Sequence, residues 1–335
     1  MNIPILDCSN EVTAVKDVPN CNRNWLAADI KDSDWIVPFS DEMENEFSRL
    51  GSFINANPVQ NLQRKWDDIR LPALESGMKQ VKHILNNGVG FCILDRLPVD
   101  QFSRDTCREI YWLLGQMVGP PVAQKWNGEM IYEVTDTGET YGYGVRGSHT
   151  TVELVFHVDN AFARRVPDYV GLFCWRPAKQ GGISRFCSLY AVHQRMQNQY
   201  PKLLSRLYKP MLFDRQKEHA PGEAKVCFAP FFSWSGDRLN ARANSTLVRK
   251  GYEVAEKAMD PELSDALKAI DEVCSADDLW FEGPLQRGQI QYLNNHEIGH
   301  YRSAFEDSED PDEKRYLMRL WHREEGTNSY DGEMI

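Results

Sequence analysis

His157-Val158-Asp159 is the first place in this 335-residue chain where side chains of the right types are spaced for chemistry. On a strand or its trailing turn, residues i and i+2 point to one face, so an imidazole and a carboxylate there can converge on a single ion. Two histidines and one carboxylate on one face of Fe(II) leave adjacent coordination positions open, enough for a bidentate oxoacid and dioxygen. The motif alone is weak. With eight His and 49 acidic residues, about one H-x-[D/E] arises by chance. A second does occur, His322-Arg323-Glu324, too near the C-terminus to be followed by a further histidine.

A downstream segment gives the first motif company. Residues 288–295 read as a turn and strand leading to His300, followed by Tyr301-Arg302-Ser303-Ala304-Phe305. Arg315 and Arg319 come next, four residues apart inside the apolar stretch 314–321. An unpaired buried guanidinium is expensive, so such a pair needs anionic partners, and arginine's planar fork suits a carboxylate. The same region spells His296-Glu297-Ile298-Gly299-His300. This is the HExxH pattern, in which two histidines one helical turn apart bind zinc and the glutamate is the general base of a hydrolase. That chemistry needs a helix through all five positions, and the strand before it, the turn-forming Asn294-Asn295 and Gly299 argue against one.

The elements that must position these residues are legible in outline. Helical spacing of apolar residues covers 40–53 and 71–85, the second ending at Asn86-Asn87-Gly88, and appears again over 100–117. Residues 89–94 form a short β-rich run between Gly and Asp. After Gly119-Pro120-Pro121 the chain becomes strand-like, at 130–134, 151–156, 169–175, 183–187 and 289–293. This is the profile of a β-sandwich or barrel with helices packed on it. Residues from about 190 to 273 read as helical or irregular and separate the two halves of the strand set. No repeat or linker divides the chain, which predicts one domain: an arm and helices at 1–86, then a core at 87–335 with a lid-like insertion at about 190–273.

Composition narrows the partners. The formal net charge of -11 argues against a nonspecific grip on nucleic acid or an anionic membrane, leaving a small molecule or a protein. No apolar run is long enough to span a bilayer and no signal peptide is visible, which predicts a cytoplasmic protein. The cysteines, at 8, 21, 92, 107, 174, 187, 227 and 274, form no CxxC pair and read as buried thiols. Trp25 and Trp35 belong either to an arm packed on its own core or to a contact between copies in a homo-oligomer.

From Asn87 to Glu324 the sequence resembles the taurine dioxygenase-like family of Fe(II)/2-oxoglutarate oxygenases. The resemblance runs through Gly88-Val89-Gly90, Phe156-His157-Val158-Asp159-Asn160, Gly181-Gly182-Ile183-Ser184, the stretch with His300 and Arg302, and Arg315-Tyr316-Leu317-Met318-Arg319-Leu320-Trp321. It implies a mainly β, α+β fold, a double-stranded β-helix (jelly roll, cupin-like) with helical insertions. It also implies that His157, Asp159 and His300 hold the iron and that Arg315 pairs with the distal carboxylate of 2-oxoglutarate. Ser184, where relatives carry a threonine, keeps the hydroxyl for the same carboxylate. Arg319, Glu153 and Asn160 match substrate-contacting positions. The implied reaction consumes O2, converts 2-oxoglutarate to succinate and CO2, and hydroxylates a small anionic or zwitterionic metabolite such as an amino acid or derivative. Asp159 occupies the position that halogenases of related fold leave open for chloride, which disfavours halogenation. The alternatives are the zinc-dependent hydrolase on His296, Glu297 and His300, and a non-catalytic cupin-like ligand-binding protein.

Overall fold

The structure, a computed structural model, describes residues 2–7, 17–19, 21–59, 62–140, 142 and 144–332. Helix α1 (Asp32–Trp35) leads into strand β1 (Ile36–Pro38). Helix α2 (Asp41–Ala56) starts where the Ser40 hydroxyl accepts from Met43 N at 3.3 Å, with three acidic residues in its first turn. Helix α3 (Pro72–Asn87) opens on proline, which lacks the N–H a first turn leaves unused, and stops at Gly88. Strand β2 (Phe91–Asp95) follows, then α4 (Arg104–Val118), capped by Ser103. The sequence places that last helix from 100, but residues 99–101 form a separate 3-10 turn before the cap.

Strands β3 (Pro121–Val122), β4 (Tyr132–Val134), β5 (Leu154–His157), β6 (Tyr169–Arg176), β7 (Gln180–Gly181) and β8 (Ser184–Ser188) come next. The segment after β8 departs from the expectation of helix or loop. It holds helices α5 (Leu189–Gln199) and α6 (Pro201–Leu207), then two antiparallel pairs, β9 (Met211–Asp214) with β10 (Val226–Ala229) and β11 (Phe232–Ser235) with β12 (Arg238–Ala241). Helices α7 (Ser245–Val254) and α8 (Pro261–Cys274) complete it. Strands of four residues, such as Met211 to Asp214, are too short for periodicity to distinguish strand from helix. The chain ends with β13 (Trp280–Glu282), β14 (Ile290–Asn294), β15 (Ile298–Arg302), β16 (Phe305–Glu306) and β17 (Tyr316–His322).

The larger sheet runs β1-β2-β14-β6-β17-β3, with β4 also on β17, and the smaller runs β13-β8-β15-β5. The two face each other across an aromatic core, where Phe91 of the larger sheet stacks on Phe186 of the smaller at 4.4 Å. This is the double-stranded β-helix. Helix α4 covers the other face of the larger sheet, Tyr111 meeting Phe173 at 5.4 Å. Trp25 donates to the Val89 carbonyl at 2.9 Å, and Trp35 packs on Phe91 and Phe281. Both tryptophans therefore serve their own chain's core, not a contact between copies. Of the seven described cysteines all but Cys21 are buried; Cys8 lies outside the described residues. Among the described residues, no helix is long and apolar enough to cross a membrane.

Two histidines buried away from the cavity make stability depend on acid. His193 sits 2.6 Å from the Tyr208 hydroxyl, which accepts from the Trp234 indole, and His322 has its Nδ1 2.9 Å from the Gly119 carbonyl. Burial pushes both down from 6.5 to about 4. Above pH 6.5 both states are neutral there; between 6.5 and about 4 the unfolded chain binds protons that the native chain refuses, so stability falls as pH drops through that window. Urea midpoints at pH 7.5 and pH 5 should show the loss, and His193→Gln should shrink it; an undiminished loss in the variant would remove His193 as a source.

Candidate metal centre

The smaller sheet brings together residues that lie 143 positions apart. His157 ends β5 and pairs across the ladder with His300 of β15, their ring centroids 4.2 Å apart. Asp159 follows on the turn after β5, with its Oδ1 3.6 Å from His157 Nε2 and 3.5 Å from His300 Nε2. One ligand atom from each residue lies within 4.8 Å of the others, so the three could hold a metal ion. Donors each about 2.1 Å from one ion must stand about 3 to 3.6 Å apart, and this set fits.

Two of the three groups are aimed by their neighbours. Nδ1 of His157 is 2.8 Å from the Val155 carbonyl, which fixes the proton there and leaves Nε2 free as a lone-pair donor. Asp159 is buried, yet its far oxygen Oδ2 accepts from Arg319 Nη1 at 2.9 Å and Trp321 Nε1 at 2.8 Å. Burial alone would raise its pKa, but the Arg319 guanidinium and the two imidazoles outweigh it and hold the carboxyl well below the usual range. The peptide is clamped as well: fully buried Asn295 accepts from Asp159 N at 2.8 Å and donates to Asp159 O at 2.9 Å. His300 is pushed down to about 4 by burial and by His157, so it is a neutral ligand.

Beyond His300 lies a cationic recess. Arg302 shares His300's face of β15, and Ser184 of β8 stands directly opposite it in the ladder. Arg302 and Arg315 both lie against the Phe305 ring, at 4.9 and 5.1 Å from its centroid. Burial, and for Arg302 the facing Arg315, lower their pKa values to about 9 and about 10. Among the described residues neither forms an ion pair, and Nε and Nη1 of Arg302 and Nη1 of Arg315 are buried without a hydrogen-bond partner. Gly182 beside Arg315 sits at φ +67°, a backbone conformation that side-chain-bearing residues rarely adopt. Desolvated, unpaired guanidiniums fit an absent carboxylate.

A cavity of about 200 Å³ opens on the other side, lined by Ser148, Glu153, Asn160, Gln216, Arg319 and Tyr330 among others. Asn160, at φ +53°, accepts from the Tyr330 hydroxyl at 3.1 Å, while its buried Nδ2 has no partner. Glu153 is at the exposed rim with its carboxylate on the Tyr301 hydroxyl. Arg319 lines the cavity, and it also gives Nη1 to Asp159 and Nε to Gln124 at 2.8 Å, which makes it a positioning group for Asp159.

The HExxH reading is overturned. His296 and Glu297 sit on a turn and His300 on a strand, not on one helix. His296 is held by Asn240 at 2.7 Å and Asp168 at 2.8 Å, and Glu297 by Arg238, Arg23 and Tyr190. The sequence reading gave no role to Asn295, Gln124, Trp321 or Arg302. Strand alternation could have flagged Trp321, two residues past Arg319 on the same face; nothing local marks Asn295 or Gln124.

A family model described as taurine catabolism dioxygenase TauD, TfdA family matches residues 55–321. The chain is 26% identical over 317 residues to FR-33289 synthase of Streptomyces rubellomurinus, covering 89% of this chain and 88% of that one. It is 25% identical over 266 residues to the taurine hydroxylase-like protein SAT17 of Stachybotrys chartarum, covering 76% of this chain and 66% of the relative. In fold it matches asparagine oxygenase in complex with Fe(II), 3-hydroxyasparagine and succinate, with a TM-score of 0.63 and 16% identity over 86% of this chain and 93% of that one. It likewise matches the non-haem iron oxygenase OrfP in complex with Fe and alpha-ketoglutaric acid, with a TM-score of 0.63 and 14% identity at the same coverages.

Trp321→Phe keeps an aromatic side chain and removes the indole N–H that donates to Asp159. Because partners of this kind typically tune metal affinity about 10- to 100-fold, the variant should bind Fe(II) or Co(II) more weakly by that order. Unchanged affinity in a competition titration would show that Arg319 suffices alone.

Proposed function

The chain belongs to the taurine catabolism dioxygenase TauD, TfdA family and is a non-haem iron oxygenase with 2-oxoglutarate as co-substrate; we propose that it hydroxylates a small zwitterionic or carboxylate-bearing metabolite, an amino acid or a derivative. The observation that carries this reading is the half-engaged carboxylate of Asp159, with Oδ2 taken by Arg319 and Trp321 and Oδ1 turned to Nε2 of both histidines. In this reading His157, Asp159 and His300 hold the iron, and Ser184 and Arg315 hold the distal carboxylate of 2-oxoglutarate. When bound, iron and 2-oxoglutarate supply the oxidising chemistry, with O2 consumed and succinate and CO2 released.

The chain's own residues bind and orient. The Val155 carbonyl and the Asn295 clamp keep two ligands in place before anything binds, so little reorganisation is left for turnover. Buried Phe186 and Phe91 keep water from the core side of the site. On the substrate side, the unpartnered Nδ2 of Asn160 offers a donor to a carboxylate or amide oxygen. Glu153, at the rim, offers a carboxylate to an ammonium group. A cavity of about 200 Å³ suits a molecule of amino-acid size.

Anaerobic protein mixed with Fe(II) and 2-oxoglutarate should show the weak visible metal-to-ligand charge-transfer band. His157→Ala and Arg315→Ala should both lose it at concentrations that saturate the wild type. Succinate release across a panel of amino acids and other small carboxylates then identifies the substrate class. No band from folded wild-type protein would sink the assignment of these residues; release driven only by uncharged compounds would sink the substrate class.

A further inference from the structure

Arg302 is the buried cation for which the assigned site has no use. It stands two residues beyond His300 on the same face of β15, about 6.6 to 6.8 Å along the strand, a distance comparable with the span of a five-carbon diacid. Its guanidinium does two things at once. Nη2 donates to the carbonyls of Thr150, at 2.9 Å, and Val152, and lies 3.4 Å from that of Gly147. Nε and Nη1 are buried with no partner; Arg315, whose Nη1 is equally unpartnered, lies against the same Phe305 ring, and Ser184 stands across the ladder. A purely structural arginine would spend both terminal nitrogens on carbonyls, as Arg323 does on Thr327, Ser329 and Arg165, with Nε alone left over; Arg302 leaves Nη1 without a partner as well. Leaving two donors desolvated is costly unless an acceptor arrives.

We propose that Arg302 is a second anion-binding side chain of the co-substrate recess, sharing the distal carboxylate of 2-oxoglutarate with Arg315, and that its Nη2 grip on residues 147–152 links that recess to the substrate wall. The proposal rests on the assignment of iron and of Arg315 made above. The linked segment matters because Gly147 and Ser148 line the substrate cavity and the strand carrying His157 follows directly. A carboxylate at the unpartnered Nη1 fixes the guanidinium plane, and with it the direction from which Nη2 meets the carbonyls of residues 147–152. Co-substrate therefore orders the wall against which substrate binds.

The test uses full-length protein loaded with Zn(II), so that no turnover occurs, titrated calorimetrically with 2-oxoglutarate and separately with oxalate. Oxalate chelates the metal but has no distal carboxylate. Arg302→Met and Arg302→Lys should each weaken 2-oxoglutarate about tenfold or more, the scale of a lost charge-assisted bond, while leaving oxalate within about twofold. Lysine keeps the charge without the fork, so it answers the question if the methionine variant fails to fold. Equal losses for both ligands, or none for either, would mean that Arg302 only braces the loop, and the proposal falls. Arg315→Met run alongside separates the two levels: if it leaves the preference for 2-oxoglutarate over oxalate intact, the underlying assignment is what fails. Hydrogen exchange supplies the second arm. Amides of residues 147–152 should slow on adding 2-oxoglutarate to wild type and not to Arg302→Met; equal slowing in the variant would overturn the link.

Discussion

A carboxylate that is buried and still ionised is the constraint on which the site depends. Asp159 is only 7% exposed, and desolvation on that scale would neutralise it if nothing answered the charge. Arg319 and Trp321 answer it on one oxygen, which leaves the other to face His157 and His300 with its charge intact. The two donors alternate on β17 of the larger sheet, whereas the histidines belong to the smaller. The metal centre is therefore built across the interface of the two sheets, and the Phe91–Phe186 packing that holds the sheets together also sets the reach of Arg319 to Asp159. Shifting the register of β17 by one residue would turn both donors to the α4 face and leave a charge without a partner.

The parts of this arrangement legible in the sequence are those fixed by local pattern. His157 closes β5 and Asp159 follows two residues on, on its trailing turn, and the apolar runs at 169–175 and 289–293 become neighbours β6 and β14. The anionic partner demanded by buried Arg319 was also legible in kind. Its identity was not, because alternation gives the face of a side chain but not what stands across the sheet gap: Arg319 meets Asp159, 160 residues earlier, as well as lining the cavity. Asn295 is similar: as half of Asn294-Asn295 it reads as turn chemistry, which it performs, but its amide closes on Asp159 through tertiary contact alone. The β9–β10 and β11–β12 hairpins went unread because their strands are four residues long and partly follow polar turns.

Two polar clusters sit at opposite ends of β15's turn, and their contrast explains why one is a site and the other is not. His296 meets Asn240 and Asp168 at 2.7 and 2.8 Å, and Glu297 meets Arg238 at 3.0 Å and Arg23 at 3.3 Å. Each charged group there has an opposite charge within the chain, which fixes the turn. One turn further, His300 Nε2 and Asp159 Oδ1 converge with no donor between them, and two guanidiniums stand unpaired behind. The charges there do not close among themselves: one carboxylate is matched by Arg319, and Arg302 and Arg315 remain. A divalent cation among His157, Asp159 and His300, and a carboxylate at the two guanidiniums, would each meet groups that have no such partner within the described residues. As a bare string HExxH is the more conspicuous, and the ordered set of motifs around His157 outweighs it. What separates the clusters physically is that the first pairs its charges within the chain, whereas the second leaves guanidiniums unpaired among the described residues.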